Sequence, residues 1–162
     1  MHIVGIWENS NEISTYVAPF AEACGCTLVS YSQLKLFPPA PLLVVSAEVS
    51  DWTGADKVRC KGVLLPGSSG ASTRFLSAAY LVSYGASPRD TLTFSSLQNG
   101  EMLLSLQREL VTLNDEVVER QELVLPFSSL HTPLPFLAAV GTLLLMGLPP
   151  EELPDRIARS GK

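Results

Sequence analysis

The chain opens on an apolar run, Ile3 to Trp7, passes through the polar stretch Glu8-Asn9-Ser10-Asn11-Glu12, and then places Ile13, Val17, Phe20 and Ala21 at helical spacing. A short apolar run bounded by polar residues predicts a buried parallel strand, and recurrence at i, i+4, i+7 and i+8 predicts an amphipathic helix. That helix is expected over residues 11–24. Ser10 or Asn11 is the expected cap, and Gly25 the expected stop, because a left-handed residue costs glycine little. Thr27 to Tyr31 predicts a second strand, so the first thirty residues read as β-α-β.

Pro38, Pro39 and Pro41 forbid helix and predict an extended connector. Leu42 to Val45 reads as a strand, the polar residues 49–61 as holding a short helical turn, and Gly62 to Leu65 as a buried strand ended by Pro66-Gly67. Residues 74–79 are expected as one or two helical turns before a strand from Tyr80 to Tyr84. After Gly85 the pattern alternates. Asn99-Gly100 between two alternating runs predicts a hairpin with a type I′ turn, which wants positive φ at both central residues. Asn114-Asp115 predicts a second two-residue turn, with Val111 opposite Val118 and Glu109 opposite Arg120 as favourable pairs. Residues 91–125 thus read as an antiparallel meander. Pro135 to Met146 is apolar on nearly all sides and predicts a buried helix ended by Gly147. Pro149-Pro150-Glu151-Glu152 begins a second, exposed one.

The class expected is therefore α/β: a mainly parallel sheet with flanking helices, continuing into an antiparallel meander and closed by two C-terminal helices. No internal repeat breaks the 162 residues. They read as one domain, with an α/β part over 1–90, the meander over 91–127 and the helices over 133–160.

Composition narrows the function classes. Net charge is −5 and no basic run exists, so nucleic acid is not an expected partner, since affinity there rests on clustered Lys and Arg. The longest apolar run, residues 134–148, contains Pro135 and falls short of the roughly 20 residues a membrane span needs. No leader pattern precedes the first strand, and Cys24, Cys26 and Cys60 are an odd number of cysteines. Reduced thiols in a cytoplasmic protein are expected. Cys24-Gly25-Cys26 lacks the spacing of zinc or redox pairs, and no metal or cofactor is expected.

Several stretches carry candidate chemistry. A phosphate-binding loop needs glycines, a Lys and a Ser or Thr. Between Val4 and Thr15 the only glycine is Gly5 and no Lys occurs, while Glu8 and Glu12 repel phosphate. Pro66 to Arg74, "PGSSGASTR", reads either as an anion nest, with Ser68, Ser69 and Arg74 toward a carboxylate or phosphate, or as a surface turn. It is not a nucleophile elbow, because Gly70 follows Ser69 directly. His131 and His2 are the only histidines. Nothing in the spacing recommends a triad of Ser69, His131 and Asp90, and His131 is expected as a cap or loop residue. Arg89, Arg108 and Arg120 read as solvated strand or turn charges, with Arg89, at a strand end, an outside candidate for a ligand contact. No catalytic residue is assigned. The candidate ligand-binding set is Glu8, Asn9, Ser68, Ser69, Arg74 and His131, around the crevice at the C-terminal strand ends where open α/β sheets bind ligands.

The order of these segments resembles the central domain of the Mur ligases, ATP-dependent amide-forming enzymes of cell-wall precursor synthesis, and more distantly folylpolyglutamate synthase. "IVGIWENSNEISTYVAPFAEACG" is similar to that family's opening strand, phosphate loop and helix, with Ser14 and Thr15 near the family's Thr pair but without its Gly and Lys. "CKGVLLPGSSG" and "LVSYGASPRDTLTFSSL" are similar to the strand ending in Asn-x-Asp-Asp and the Tyr-Gly strand that enters a meander. Tyr84-Gly85 fits, whereas Pro66, Gly67, Ser68 and Ser69 replace the acidic motif. In "LPFSSLHTPLPFLAAVGTLLLMGLPPEEL", His131, Ala138, Ala139, Gly147, Leu148 and Glu151 or Glu152 fall in place, but Thr132 and Pro135 stand where the family has the asparagines that help hold adenine. The family's central stretch and C-terminal domain have no counterpart.

The resemblance implies a shortened scaffold that has lost its ATP site. A non-catalytic binding or accessory protein is then expected, linked to cell-wall precursors. Its partner would be another protein, a second copy of the chain, or a small anionic ligand. Two alternatives stand beside it. One is a small enzyme of another class, which requires Glu8, His131 and a serine to converge. The other is a structural subunit pairing through a meander edge near Leu103, Leu123 and Val124.

Overall fold

A computed structural model describes residues 2–30, 41–49, 58–68, 76–128 and 131–160. It is a mixed α/β structure built on an eight-stranded sheet. Strand β1 (His2–Trp7) leads through helix α1 (Glu12–Ala21) to β2 (Cys26–Ser30), parallel to β1 in the register Val4↔Leu28. On its other side β1 pairs in parallel with β3 (Leu42–Val45), in the register Ile6↔Val44. β4 (Val58–Pro66) and β5 (Leu76–Tyr84) extend the parallel run. β6 (Leu92–Gln98) joins β5 through the single pair Tyr84↔Leu92. β7 (Glu101–Leu106) and β10 (Gln121–Pro126) complete the sheet antiparallel, in the order β10-β7-β6-β5-β4-β3-β1-β2. A separate ribbon of β8 (Leu110–Val111) and β9 (Val117–Val118) interrupts the meander.

Helices α1 and α2 (Pro133–Leu145) pack against each other over the apolar set of Val4, Ile6, Leu42, Val44, Leu64 and Leu92. In β3 all four residues are buried, with Leu43 and Val45 joining Val63 and Leu65 in a second cluster. The centre of the parallel half, at β3 and the later part of β4, is thus buried on both faces, which is why β3 reads as a continuous apolar run. The outer parallel strands are more open, with Leu81 of β5 55% exposed. In β7, by contrast, Met102, Leu104 and Leu106 are buried and alternate with more open positions, the mark of a sheet with one packed face.

Helix α2 starts with Pro133 after Thr132 and needs no side-chain cap, since proline at N1 gives up an N–H that has no helical partner. Gly141 lets it approach the sheet, for a Cβ there would lie 2.7 Å from Leu92 Cδ1 and 3.0 Å from Leu64 Cδ2. It ends at Gly147, φ +104°, where Leu148 N–H donates to the Leu143 carbonyl at 3.0 Å. A 3-10 turn (Pro150–Glu152) then leads into the exposed helix α3 (Leu153–Ser160).

Four local expectations need correction or relocation. Residues 76–79 are strand rather than helix, because β4 offers a parallel neighbour along Val58↔Leu76 to Cys60↔Ala78. The second hairpin has the register Val111↔Val117, one residue from that expected. Asp115 N–H donates to the Thr112 carbonyl, and Asp115 alone in that turn takes positive φ, 62°. Thr112 N–H donates to the Glu116 carbonyl, so the loop has three residues and not two. Helix α1 is shorter than expected and Asn11 makes no side-chain cap bond. The expected connector over 31–40 and the helical turn within 49–61 fall largely outside the described residues. The Asn99-Gly100 turn is as expected, with φ of 56° and 73°.

Candidate functional site

The chain reverses its direction of sheet growth at β1, adding β2 on one side and β3 on the other. Loops leaving the C-terminal ends of such a pair diverge and open a crevice. Here the two loops are Glu8 to Asn11 and Ser46 to Glu48. Glu8 turns its carboxylate back onto the first turn of α1. It accepts from Ile13 N–H at 2.9 Å, from Ser14 N–H at 3.1 Å and from the Ser14 hydroxyl. Glu8 therefore does the capping that Asn11 does not, and it places negative charge where the helix dipole favours it. Glu48 reaches across from the β3 loop. Its Oε1 accepts from Asn9 N–H and Ser10 N–H, both at 2.8 Å, and from the Ser10 hydroxyl at 2.9 Å.

These bonds hold the Glu48 carboxyl below its ordinary value. The Ser10 N–H is the largest cause, burial opposes it, and the Ser10 hydroxyl, Asn9 N–H and Ser46 add to it. Tyr84, buried at the end of β5, donates its hydroxyl to the Val45 carbonyl at 2.6 Å. Burial pushes this phenol far above its usual value. A backbone bond at Ala47 works against that, and the charges of Glu8 and Glu48 add to it. The crevice is therefore a negative site in which backbone N–H groups already have carboxylate partners.

Of the candidate residues, Glu8 and Asn9 come together here. Ser68 is exposed after β4, next to Gly67, whose Cα packs against the buried Asp90 carboxylate. Ser69 and Arg74 lie outside the described residues. His131 precedes α2, and its Nδ1 shares a hydrogen bond with the Tyr16 hydroxyl. Tyr16 follows Ser14 by two positions, about 200° round a helix of 3.6 residues per turn. The Glu8–Ser14 and Tyr16–His131 pairs thus sit on opposite sides of α1. Arg89 is exposed, and its carbonyl accepts from Arg108. Near the meander edge, Leu103 belongs to the interior strand β7, Leu123 is buried, and Val124 on β10 is 51% exposed.

Sequence reasoning missed Glu48. Its one signal is position, an acid three residues beyond a buried strand, and it matters only once β3 is known to adjoin β1. Among the described residues no group of three His, Cys, Asp or Glu is placed to hold a metal ion, and no helix is long and apolar enough to cross a membrane. No family model and no curated protein matches the chain.

Proposed function

We propose that the chain is a non-catalytic binding or accessory protein on a scaffold related to the Mur ligase central domain, with its nucleotide crevice closed by its own carboxylates. The observation that carries this reading is the pairing of Glu8 with α1 and of Glu48 with the loop after β1. In a nucleotide-binding protein, N–H groups in these places face phosphate. A phosphate about 5 Å from either carboxylate would meet roughly 3 kcal/mol of repulsion per charge pair at an effective dielectric near 20. A charge-assisted hydrogen bond returns only about 1.5–3 kcal/mol, and here those donors must first be taken from glutamate. Both the repulsion and the loss of those bonds oppose phosphate here, so ATP is not expected to bind.

The test is a thermal melt with millimolar ATP and Mg²⁺. Any ligand of the native state raises the melting temperature, and no shift is expected. A saturable rise would end this reading. A link to cell-wall precursors rests on the sequence resemblance alone.

A further inference from the structure

A separate hollow lies on the helix side, between α1, α2, α3 and the end of β10. It is partly open to solvent and offers about 480 Å³, within the usual range for small-molecule sites. Its floor comes from α2, where Phe136, Ala139, Val140 and Leu143 line it. At Ala139 the helix presents only a methyl group to the hollow, where a larger side chain would fill it. One wall is aromatic. Phe127 and Phe136 meet edge to face with centroids 5.1 Å apart, and Tyr16 meets Phe136 at 5.7 Å. Ile157 and Ser160 of α3 close the opposite side.

Polar groups stand on the α1 side. The Tyr16 hydroxyl and His131 Nδ1 are hydrogen-bonded to each other. Thr15 and Pro19 also line the hollow. Pro19 has no N–H to return to the Thr15 carbonyl, so that carbonyl lacks its normal helical donor. Among the described residues that line the hollow none is Asp, Glu, Lys or Arg. Glu12 adjoins the Tyr16–His131 end and would repel an anion. Over the carbon floor an ion of either sign would lose hydration with no counter-charge among the lining residues, at a cost of several kcal/mol. A sugar would set several hydroxyls against a floor of carbon, leaving them unpaired.

We infer that this hollow is a binding site for an uncharged, mainly apolar small molecule carrying a single hydrogen-bonding group, which meets Thr15, Tyr16 and His131. This goes beyond the crevice reading and does not depend on it. The ATP melt and the titration below fail independently.

N-phenyl-1-naphthylamine is a suitable probe, neutral, aromatic and carrying one N–H. The full chain is expected to bind one molecule saturably in the micromolar range, with a fluorescence rise. Anilinonaphthalene sulfonate has the same skeleton plus a charge and is expected to bind at least tenfold more weakly. Ile157→Trp and Ser160→Trp fill the hollow from the exposed helix α3, and each should weaken the neutral probe tenfold or more. Val124→Ser, on the far face of the sheet, should leave binding unchanged. In the wild-type chain the probe should shift the ring resonances of Phe127 and Phe136, a readout that needs no variant. Lack of saturation below 100 µM (a bound set by the probe's solubility, roughly ten times the expected affinity) overturns the inference. So does equal or tighter binding of the sulfonate, or unmoved Phe127 and Phe136 resonances.

Discussion

Replacing Glu8 with alanine removes the acceptor for Ile13 N–H, Ser14 N–H and the Ser14 hydroxyl at one stroke. Loss of a helix N-terminal cap costs about 0.5–2 kcal/mol, and loss of a negative charge at that end about 0.3–1 kcal/mol. The two overlap, so about 1–2 kcal/mol is expected for Glu8→Ala. For a chain of this size that lowers the melting temperature by about 2–8 °C. Glu8→Gln retains one carbonyl acceptor but turns an amide donor toward the second N–H, and should fall between. Calorimetry gives the global number. Native-state hydrogen exchange gives the local one, because the Ile13 and Ser14 amides should exchange faster in Glu8→Ala than in the wild type. A variant within about 0.3 kcal/mol of wild type, with those two amides still protected, would refute the assignment of Glu8 as the cap.

Four further outcomes are expected. Glu48 has its folded pKa below its unfolded value, so its stabilising contribution is complete above the ordinary carboxylate pKa of about 4.3 and is lost as pH falls through the lowered folded value; Glu48→Gln should therefore flatten the acid limb of a stability–pH curve below about pH 4. A Cβ on Gly67 would lie 1.9 Å from Asp90 Oδ1, so Gly67→Ala should cost about 2–3 kcal/mol by urea denaturation and clearly less when Asp90→Ala is already present, the non-additivity expected of contacting residues. Tyr84→Phe leaves the buried Val45 carbonyl without its donor and should cost about 1–3 kcal/mol, measured the same way. Gly100 holds a φ of 73°, so Gly100→Ala should destabilise the chain by about 1 kcal/mol.

The elements whose signal lies in their own residues were the legible ones. The apolar runs at β1 and β3, the Ile13–Val17–Phe20 stripe of α1 and the Asn99-Gly100 turn each carry their conformation locally. What was illegible depended on neighbours distant in sequence. Ala78 and Ala79 have little strand preference of their own and become strand because β4 pairs beside them, as β propensity largely reflects packing context. The hairpin register was set by Thr112, whose hydroxyl accepts from Asn114 N–H and Glu116 N–H and so stabilises a longer loop than Asn114-Asp115 suggests. At the crevice, Glu8 and Asn9 were visible because they follow the first strand. Glu48 was not, since nothing in a linear pattern says which later loop will face them. Tyr16 was hidden for the same reason, its partner His131 lying 115 positions away.

The single rung Tyr84↔Leu92 makes the sheet two plates sharing a narrow hinge, one parallel and one antiparallel. Helix α2 acts as the splint across them, touching Leu64 on one plate and Leu92 on the other at Gly141. Mechanical load or partial melting should therefore crack the molecule along this line once the splint lifts. The plate of β6, β7 and β10 would then peel away as a unit, its ladder still intact.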